Sequence, residues 1–598
     1  MLLLQSPYPS GSRLFWGGAG GGVHESTMPE QPTPTASNKR RDWFRFGAVI
    51  GLLLLFNFIG QQFFFRLDLT QEKRYTMAPA TRQLLENLKQ TVTVTVYLDG
   101  DFPPAFRRLQ QSVRETLNEM QVYGGANLHY IFVDPSAAGT EKARNEYYAA
   151  LFKKGLKPTN LGANENGKRV EKIIFPWATV AAGGKEEQVL LLRGNQAAPA
   201  DVRLNQSIEG LEYELASAIR KLSPGTRKRI GVLEGHGELS NVEAGDIIGS
   251  LQQYYDVFRV DLNKVRPQDL RSLSAIIVAK PATAYSEPEK FKLDRFITQG
   301  GNALFFVDAM RVNLDSANRG GMLSFPLQLN LDDLLFKYGV RVNPDLLLDL
   351  NSGVIPLITG MSGDKPKVEP MPWQFYPLIN NFSPHPITRN LDAVYTKFVS
   401  SLDTVKAASI RKTPLLFTSR YTRVLPSPVP INLNDARLEP EQKLYKQQFK
   451  PVGYLLEGQF GSLYANRAEP GTTRYQPAQS PQARPSKVLV LSDGDFIRSE
   501  LDAKTGNPYR LGFDRLANTE FANRELVLNA VDYMLDESGL IAVRGKQITL
   551  RPLDKLKVIE QKRRWQLLNL AVPLVLLALF GVVRAWRRKQ RYARFEGS

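Results

Sequence analysis

Arg229–Glu238, RIGVLEGHGE, places a short apolar run directly before a glycine-rich turn. The run Arg229–Leu233 predicts a buried strand, and the chain then alternates. Val242–Tyr255 has helical spacing, Val257–Asp261 and Ala275–Ala279 read as strands, Glu287–Gln299 as a helix and Ala303–Val307 as a further buried strand. This alternation predicts a doubly wound α/β sheet of the flavodoxin or glutamine-amidotransferase type. The rhythm breaks over 320–451, an irregular, proline-rich stretch expected to be an insertion. It resumes with strands at Val452–Leu456 and Val488–Leu491, separated by the proline-rich run Glu469–Pro485, and with a helix at Glu525–Leu535.

Upstream, Thr91–Leu98, TVTVTVYL, alternates strictly and is β-branched, so it predicts a strand. Phe106, Leu109, Val113, Leu117 and Met120 put a helix over Ala105–Val122, and Leu128–Val133 is a second strand. Strand, helix and strand with short joins imply a right-handed crossover and a parallel pair. Thr76 and Pro79 start a short helix running to about Leu88. Val170–Phe175 and Glu187–Leu192 are expected to pair as a hairpin, ahead of a helix at Asn205–Leu222. The order resembles a thioredoxin-like domain over 67–225, without a CxxC pair; the doubly wound domain occupies 226–538.

Two apolar stretches flank this globular sequence. Phe46–Phe65 and Trp565–Val583 each approach the roughly 20 residues that cross about 30 Å of hydrocarbon. They predict transmembrane helices within 43–66 and over 565–583, with a juxtamembrane segment at 539–564. Lys39, Arg40, Arg41 and Arg45 precede the first, and Arg584, Arg587, Arg588, Lys589, Arg591 and Arg594 follow the second. Positive flanks stay in the cytoplasm, so both termini are expected there and the large domain in the periplasm, at a bacterial inner membrane. Residues 1–42 are expected to be a disordered tail and 584–598 a basic tail; Met28 is a plausible true start, which would make 1–27 a mis-assigned extension. Asn57, Gln61 and Gln62 are polar within the first span. They predict contacts with a protein neighbour in the membrane, and for Gln61 and Gln62 an interfacial position is the alternative.

The chain has no cysteine, which excludes disulfides, thiolate catalysis and thiolate metal sites. Its four histidines, His24, His129, His236 and His385, are scattered too widely for a His-rich metal site. No cofactor is implied. The net charge of +18 points to anionic neighbours. Because the basic residues cluster beside the apolar spans, membrane lipids are the expected partner and nucleic acid is not. Gly162–Arg169, GANENGKR, approximates a phosphate-binding loop, but Arg169 stands where Ser or Thr would hold magnesium and no buried strand precedes it. It predicts an ordinary loop and no ATPase activity. No G-x-S-x-G elbow occurs either.

Glu234, His236 and Glu238 follow the first strand of the second domain, Asp308 follows Ala303–Val307, and Asp493 and Asp495 follow Val488–Leu491. Ligands of open α/β sheets bind at the carboxyl ends of strands, so these six residues form a possible acidic ligand or ion site. Helix capping and turn chemistry use the same residue types at the same places, and that is the favoured reading.

The segments LDLTQEKRYTMAPAT, VYLDGDFPPAFRRLQQSVRETLNEM, KRIGVLEGHGE, LDDLLFKYGVRVNPDLLLDL, MPWQFYPLINNFSPHPITRNLDAV, LVLSDGDFIRSE and ITLRPLDKLKV, in that order, resemble the GldG family of gliding-motility-associated ABC-transporter auxiliary proteins. The resemblance implies a non-catalytic, substrate-binding-like subunit that works with an ABC permease subunit and a cytoplasmic ATPase subunit. A structural scaffold of the cell envelope is the alternative, and a tethered hydrolase using Glu234, His236 and Asp493 a third.

Overall fold

The computed structural model describes residues 39–62, 76–137, 139–165, 168–193, 199–223, 227–318, 320–465, 467, 470, 483–502, 504–545 and 555–592. They belong to two compact units, Met1–Leu69 and Thr70–Ser598. The first contains the helix α1, Lys39–Gln62, whose apolar portion is Phe46–Leu55. That portion is shorter than a membrane crossing needs, and Phe63–Phe65 of the expected span lie outside the described residues.

The second unit opens with α2, Pro79–Glu86, started by a proline in its first turn, where no backbone donor is lost. Strand β1, Val92–Val96, buries Val92, Val94 and Val96 on one face, as its alternation requires. Helix α3, Pro104–Gly124, lays the fully buried Leu109, Val113, Leu117 and Met120 into the same core, each contributing roughly 1.5–3 kcal/mol of burial. It leads to β2, Leu128–Phe132, parallel to β1 with Val92 opposite Leu128. This is the expected crossover.

A helix that the sequence analysis missed, α4, Glu141–Lys153, is capped by the Thr140 hydroxyl accepting from the Ala143 N–H at 3.2 Å. The expected hairpin is corrected. Strands β3, Thr159–Glu165, and β4, Lys168–Ile174, pair with each other, Val170 standing opposite Ala163. Strands β5, Trp177–Ala182, and β6, Lys185–Leu190, form a separate hairpin. Gly183 and Gly184 join these two, both at positive φ, which is what a tight hairpin turn demands. Sheet order is β2-β1-β5-β6, and α5, Ala200–Leu222, covers it with Leu211, Leu215 and Ile219.

The main sheet begins with β7, Arg229–Glu234, followed by α6, Gly245–Gln252, β8, Asp256–Asp261, β9, Ala275–Ala279, α7, Glu287–Thr298, and β10, Asn302–Phe306. Next comes a long ribbon, β11, Ser352–Ser362, against β12, Lys365–Ile379, seated on Trp373, which is fully buried among Phe375, Tyr376 and Phe398. Strands β13, Asn381–Phe382, and β14, Ile410–Phe417, return from this irregular region to the main sheet, joined by β15, Pro451–Gln459, and β16, Pro485–Leu491. The order is β13-β14-β15-β16-β10-β9-β7-β8. The run from β16 to β8 is parallel, and β15, β14 and β13 are antiparallel additions at one edge. Part of the stretch expected as an insertion thus extends the sheet itself. Helix α8, Asn523–Leu535, packs with α6 on one face, and α7 covers the other.

Met77 and Leu85 share a core with Leu540, Ile541 and Val543. Polar bonds tie the two sheets together: Arg389 to Glu209 at 2.9 Å, the Asn390 amide to the Gln206 carbonyl at 3.1 Å, and Arg220 to Asp536 at 3.0 Å. The final helix, α9, Lys555–Tyr592, contains Glu560–Gln590. Among the described residues it alone is long and apolar enough to cross a membrane, and none of it is buried in the protein. The architecture is mixed α/β.

Candidate functional site

The parallel strands end along one edge of the main sheet, and all six candidate ligand residues lie there. The structure divides them into two clusters. Glu234, His236 and Glu238 sit at the end of β7; Asp308, Asp493 and Asp495 sit at the ends of β10 and β16.

Strand β7 lies between β8 and β9, so the strand order reverses beside it, the usual place for a crevice. Here His236 fills it. Its ring is 5% exposed and stacks on Tyr285 with centroids 3.9 Å apart. Nε2 stands 3.1 Å from a Glu289 carboxylate oxygen, and Nδ1 stands 3.5 Å from Glu238. Glu238 accepts from the His236 backbone N–H at 2.6 Å and from the Tyr285 hydroxyl at 2.7 Å. Burial and the Glu238 charge push the Tyr285 hydroxyl well up. Glu289 also accepts from the Ser286 N–H and hydroxyl at 2.9 and 2.6 Å, closing the start of α7. Burial raises the Glu289 carboxyl, but the Ser286 bonds and His236 outweigh it and hold the group low. Glu234 is exposed and stands apart. The loop geometry needs glycine, since Gly235 and Gly237 have φ of +117° and +71°.

The second cluster is organised by Lys280, a residue the sequence analysis did not single out. Its ammonium lies 2.7 Å from Asp308 and 2.7 Å from Asp495. Asp308 accepts from the Gly494 N–H at 2.7 Å, and Asp493 accepts from the Lys397 and Asp495 N–H groups at 2.7 and 2.6 Å. Arg498 adds a second cation 3.5 Å from Asp495. Burial, then Asp495 and Asp308, push the Asp493 carboxyl well up and favour its neutral form. Burial also raises Asp495, but Lys280, Lys397 and Arg498 more than offset it and keep Asp495 ionised. Lys280 itself is held protonated against burial by Asp495 and Asp308. A Cβ on Gly494 would stand 2.3 Å from the Lys280 side chain, so the SDGD turn and the lysine are fitted to each other. The signal for Lys280 was its place, one residue beyond a buried strand on the edge where the acidic residues were found.

Neither cluster offers an activated nucleophile. The buried carboxylates of both clusters are engaged at one oxygen or both by backbone donors, Lys280, Tyr285 and His236, and among the described residues no group of three or more His, Asp or Glu could hold a metal ion. Asp493 caps a short helical turn, Gly494–Ile497, by accepting from the Asp495 N–H. Within GANENGKR, Gly162–Glu165 and Lys168–Arg169 are corrected from a loop to paired strands, with Gly162 opposite Glu171 and Glu165 opposite Lys168, while Asn166 and Gly167 lie outside the described residues. Asn57 lies on α1 with its side chain exposed, while the side chains of Gln61 and Gln62 fall outside the described residues.

Residues 71–181 match a domain of unknown function, DUF7088. An uncharacterized protein of Borreliella burgdorferi is 20% identical over 535 residues, covering 88% of this chain and 94% of its own. Among solved structures, the N-terminal domain of mmIFT52 is 13% identical with a TM-score of 0.29, covering 52% of this chain and 99% of that one. A putative ThuA-like protein from Parabacteroides merdae is 9% identical with a TM-score of 0.26, covering 55% and 93%. Both scores are too low to carry an argument. Residues 227–530, the whole of the main sheet with both clusters, match the family model ABC_transp_aux, and on that match over half its length the chain belongs to the family described as an ABC-type uncharacterized transport system.

Proposed function

We propose that the protein is a non-catalytic, membrane-anchored auxiliary subunit of an ABC transporter of the GldG type, associated with gliding motility. The observation that carries this is the joining of a transport-family head, 227–530, to an exposed apolar helix, Glu560–Gln590. A helix of that length with no apolar partner among the described residues is stable in hydrocarbon and costly in water. In this reading α1 and α9 cross a bacterial inner membrane, both termini are cytoplasmic and the head is periplasmic. The head itself is a thioredoxin-like module without redox cysteines followed by a flavodoxin-like sheet. The polar clusters at the sheet edge are structural, which accords with a subunit that performs no chemistry.

The partners are an ABC permease subunit, reached within the membrane through Asn57, Gln61 and Gln62, and a cytoplasmic ATPase subunit. Affinity purification of the tagged full-length chain from its native membrane, in mild detergent, tests this. Recovery of a permease and an ATPase subunit in constant ratio is the expected result. Recovery of the chain alone across several detergents would overturn it.

A further inference from the structure

The opposite edge of the main sheet, where the parallel strands begin, holds an open cleft of about 520 Å³. That volume falls within the range of small-molecule sites. Its floor is a row of residues from neighbouring strand starts: Lys487 on β16, Asn302 on β10, Ser274 before β9 and Lys228 before β7. Its wall is the last turn of α8. Lys487 donates to the Tyr533 carbonyl at 2.8 Å, Asn302 to Met534 at 3.3 Å and Lys228 to Leu535 at 2.8 Å. Three successive carbonyls at the negative end of a helix are thus held by side chains from three strands.

The two ammonium groups are not used up by this. An ammonium has three donors; one bond from Lys487, whose ammonium also lies 4.3 Å from the centre of the Tyr533 ring, and two from Lys228, the second to Glu537, are described. Lys487 makes no ion pair among the described residues, although Glu457 lines the same cleft. Glu457 is occupied by Arg411 and by the Tyr533 hydroxyl at 3.0 Å, and Asp536 by Arg220. Burial lowers the Lys487 ammonium from its usual range, more than Glu457 and Asp536 can restore. A desolvated cation with spare donors in a roomy cleft gains from an anion.

We propose that this cleft binds a small oxyanion, a carboxylate or a phosphate, between the ammonium groups of Lys487 and Lys228. The proposal is independent of the transporter reading. The α8 terminus that forms the wall continues through Asp536 to the segment 540–545 and the final helix, so an occupant would bear on the joint between head and tether.

The test uses the full chain in nanodiscs of neutral phosphatidylcholine, titrated calorimetrically with citrate and with inorganic phosphate. A second arm replaces part of the lipid with phosphatidylglycerol, to distinguish a dissolved anion from a lipid headgroup by competition. Saturable binding that Lys487→Met weakens by roughly tenfold or more, that Lys487→Arg largely retains and that the distant Lys504→Gln leaves unchanged is the expected result. Competition by phosphatidylglycerol that depends on Lys487 would equally support the site and identify its source. Absence of saturable binding up to about 10 mM of either probe with no lipid competition, or equal binding by Lys487→Met, would overturn it. Near-ultraviolet circular dichroism of each variant checks that the head remains folded.

Discussion

Lys280 at the end of β9 bonds Asp308 at the end of β10 at 2.7 Å, and this pair fixes the carboxyl edge of the main sheet. The same ammonium holds Asp495. Lys280→Met would leave the Asp308 and Asp495 carboxylates without their shared cation, with Asp493 beside them. Removing one partner of a buried pair costs about 3–5 kcal/mol. Because 21% of the Lys280 side chain is exposed, about 2–3 kcal/mol is expected. The urea midpoint of the full chain in detergent measures it, and adding Asp308→Asn should recover part of the loss.

His385 gives stability a pH dependence. Burial, aided by Arg411 and Lys487 and opposed by Glu457, pushes its imidazole down to about 4 from the usual 6.5. The unfolded chain therefore takes up a proton between 6.5 and about 4 that the folded chain refuses. The contribution is complete above 6.5 and is lost as pH falls through that window. Discounted for its partial exposure, the loss is about 1–2 kcal/mol. His385→Phe keeps a ring against Tyr533, now 4.7 Å away, and should flatten the stability curve over this interval. An unchanged slope would assign the effect to another group.

The elements that were legible beforehand are those in which local pattern and burial agree. Val92, Val94 and Val96 alternate because one face is buried, and Leu109, Val113, Leu117 and Met120 recur because one helix face is. The main sheet was legible for the same reason, its central strands being continuous apolar runs buried on both sides. The β3–β6 region was misread because two adjacent hairpins contain four strand-like runs, and only the turn at Gly183 and Gly184 decides which runs pair. At the site, position in the fold was legible and partnership was not. The six carboxylate and histidine residues lie along one edge, yet Lys280, from a different strand, draws off Asp308 and Asp495, and His236 is committed to Glu289, far along the chain.

The seam between the two sheets rests on Arg389 and Glu209, 2.9 Å apart and each less than a fifth exposed. The Arg544 guanidinium also donates to the Arg389 carbonyl at 3.1 Å. Glu209→Ala leaves the guanidinium without its carboxylate and should cost about 1–3 kcal/mol. Scanning calorimetry should then separate one unfolding transition into two, because the sheets have their own cores and the seam couples them. A single transition merely lowered in temperature would assign the coupling to the bonds of Asn390 and Arg220 instead.

The last helix can be tested at its middle. Leu576 is exposed on α9, within the apolar stretch that follows Pro573. In the proposed topology it lies near the centre of the bilayer, where a lysine costs about 2.5–3.5 kcal/mol for insertion. In that topology α1 is a second anchor that keeps the chain membrane-bound regardless, so the informative readout is the location of the C-terminus and not its fractionation. A cysteine added after the last residue, in a chain otherwise free of cysteine, should resist impermeant maleimide in intact cells. Leu574→Lys with Leu576→Lys should expose it by blocking the crossing, while Leu438→Lys, at an equally exposed leucine on the head, should not. Labelling of the unsubstituted chain would mean that α9 does not cross or that the orientation is reversed, and protection of the double variant would mean that the side on which the C-terminus lies does not depend on those two leucines.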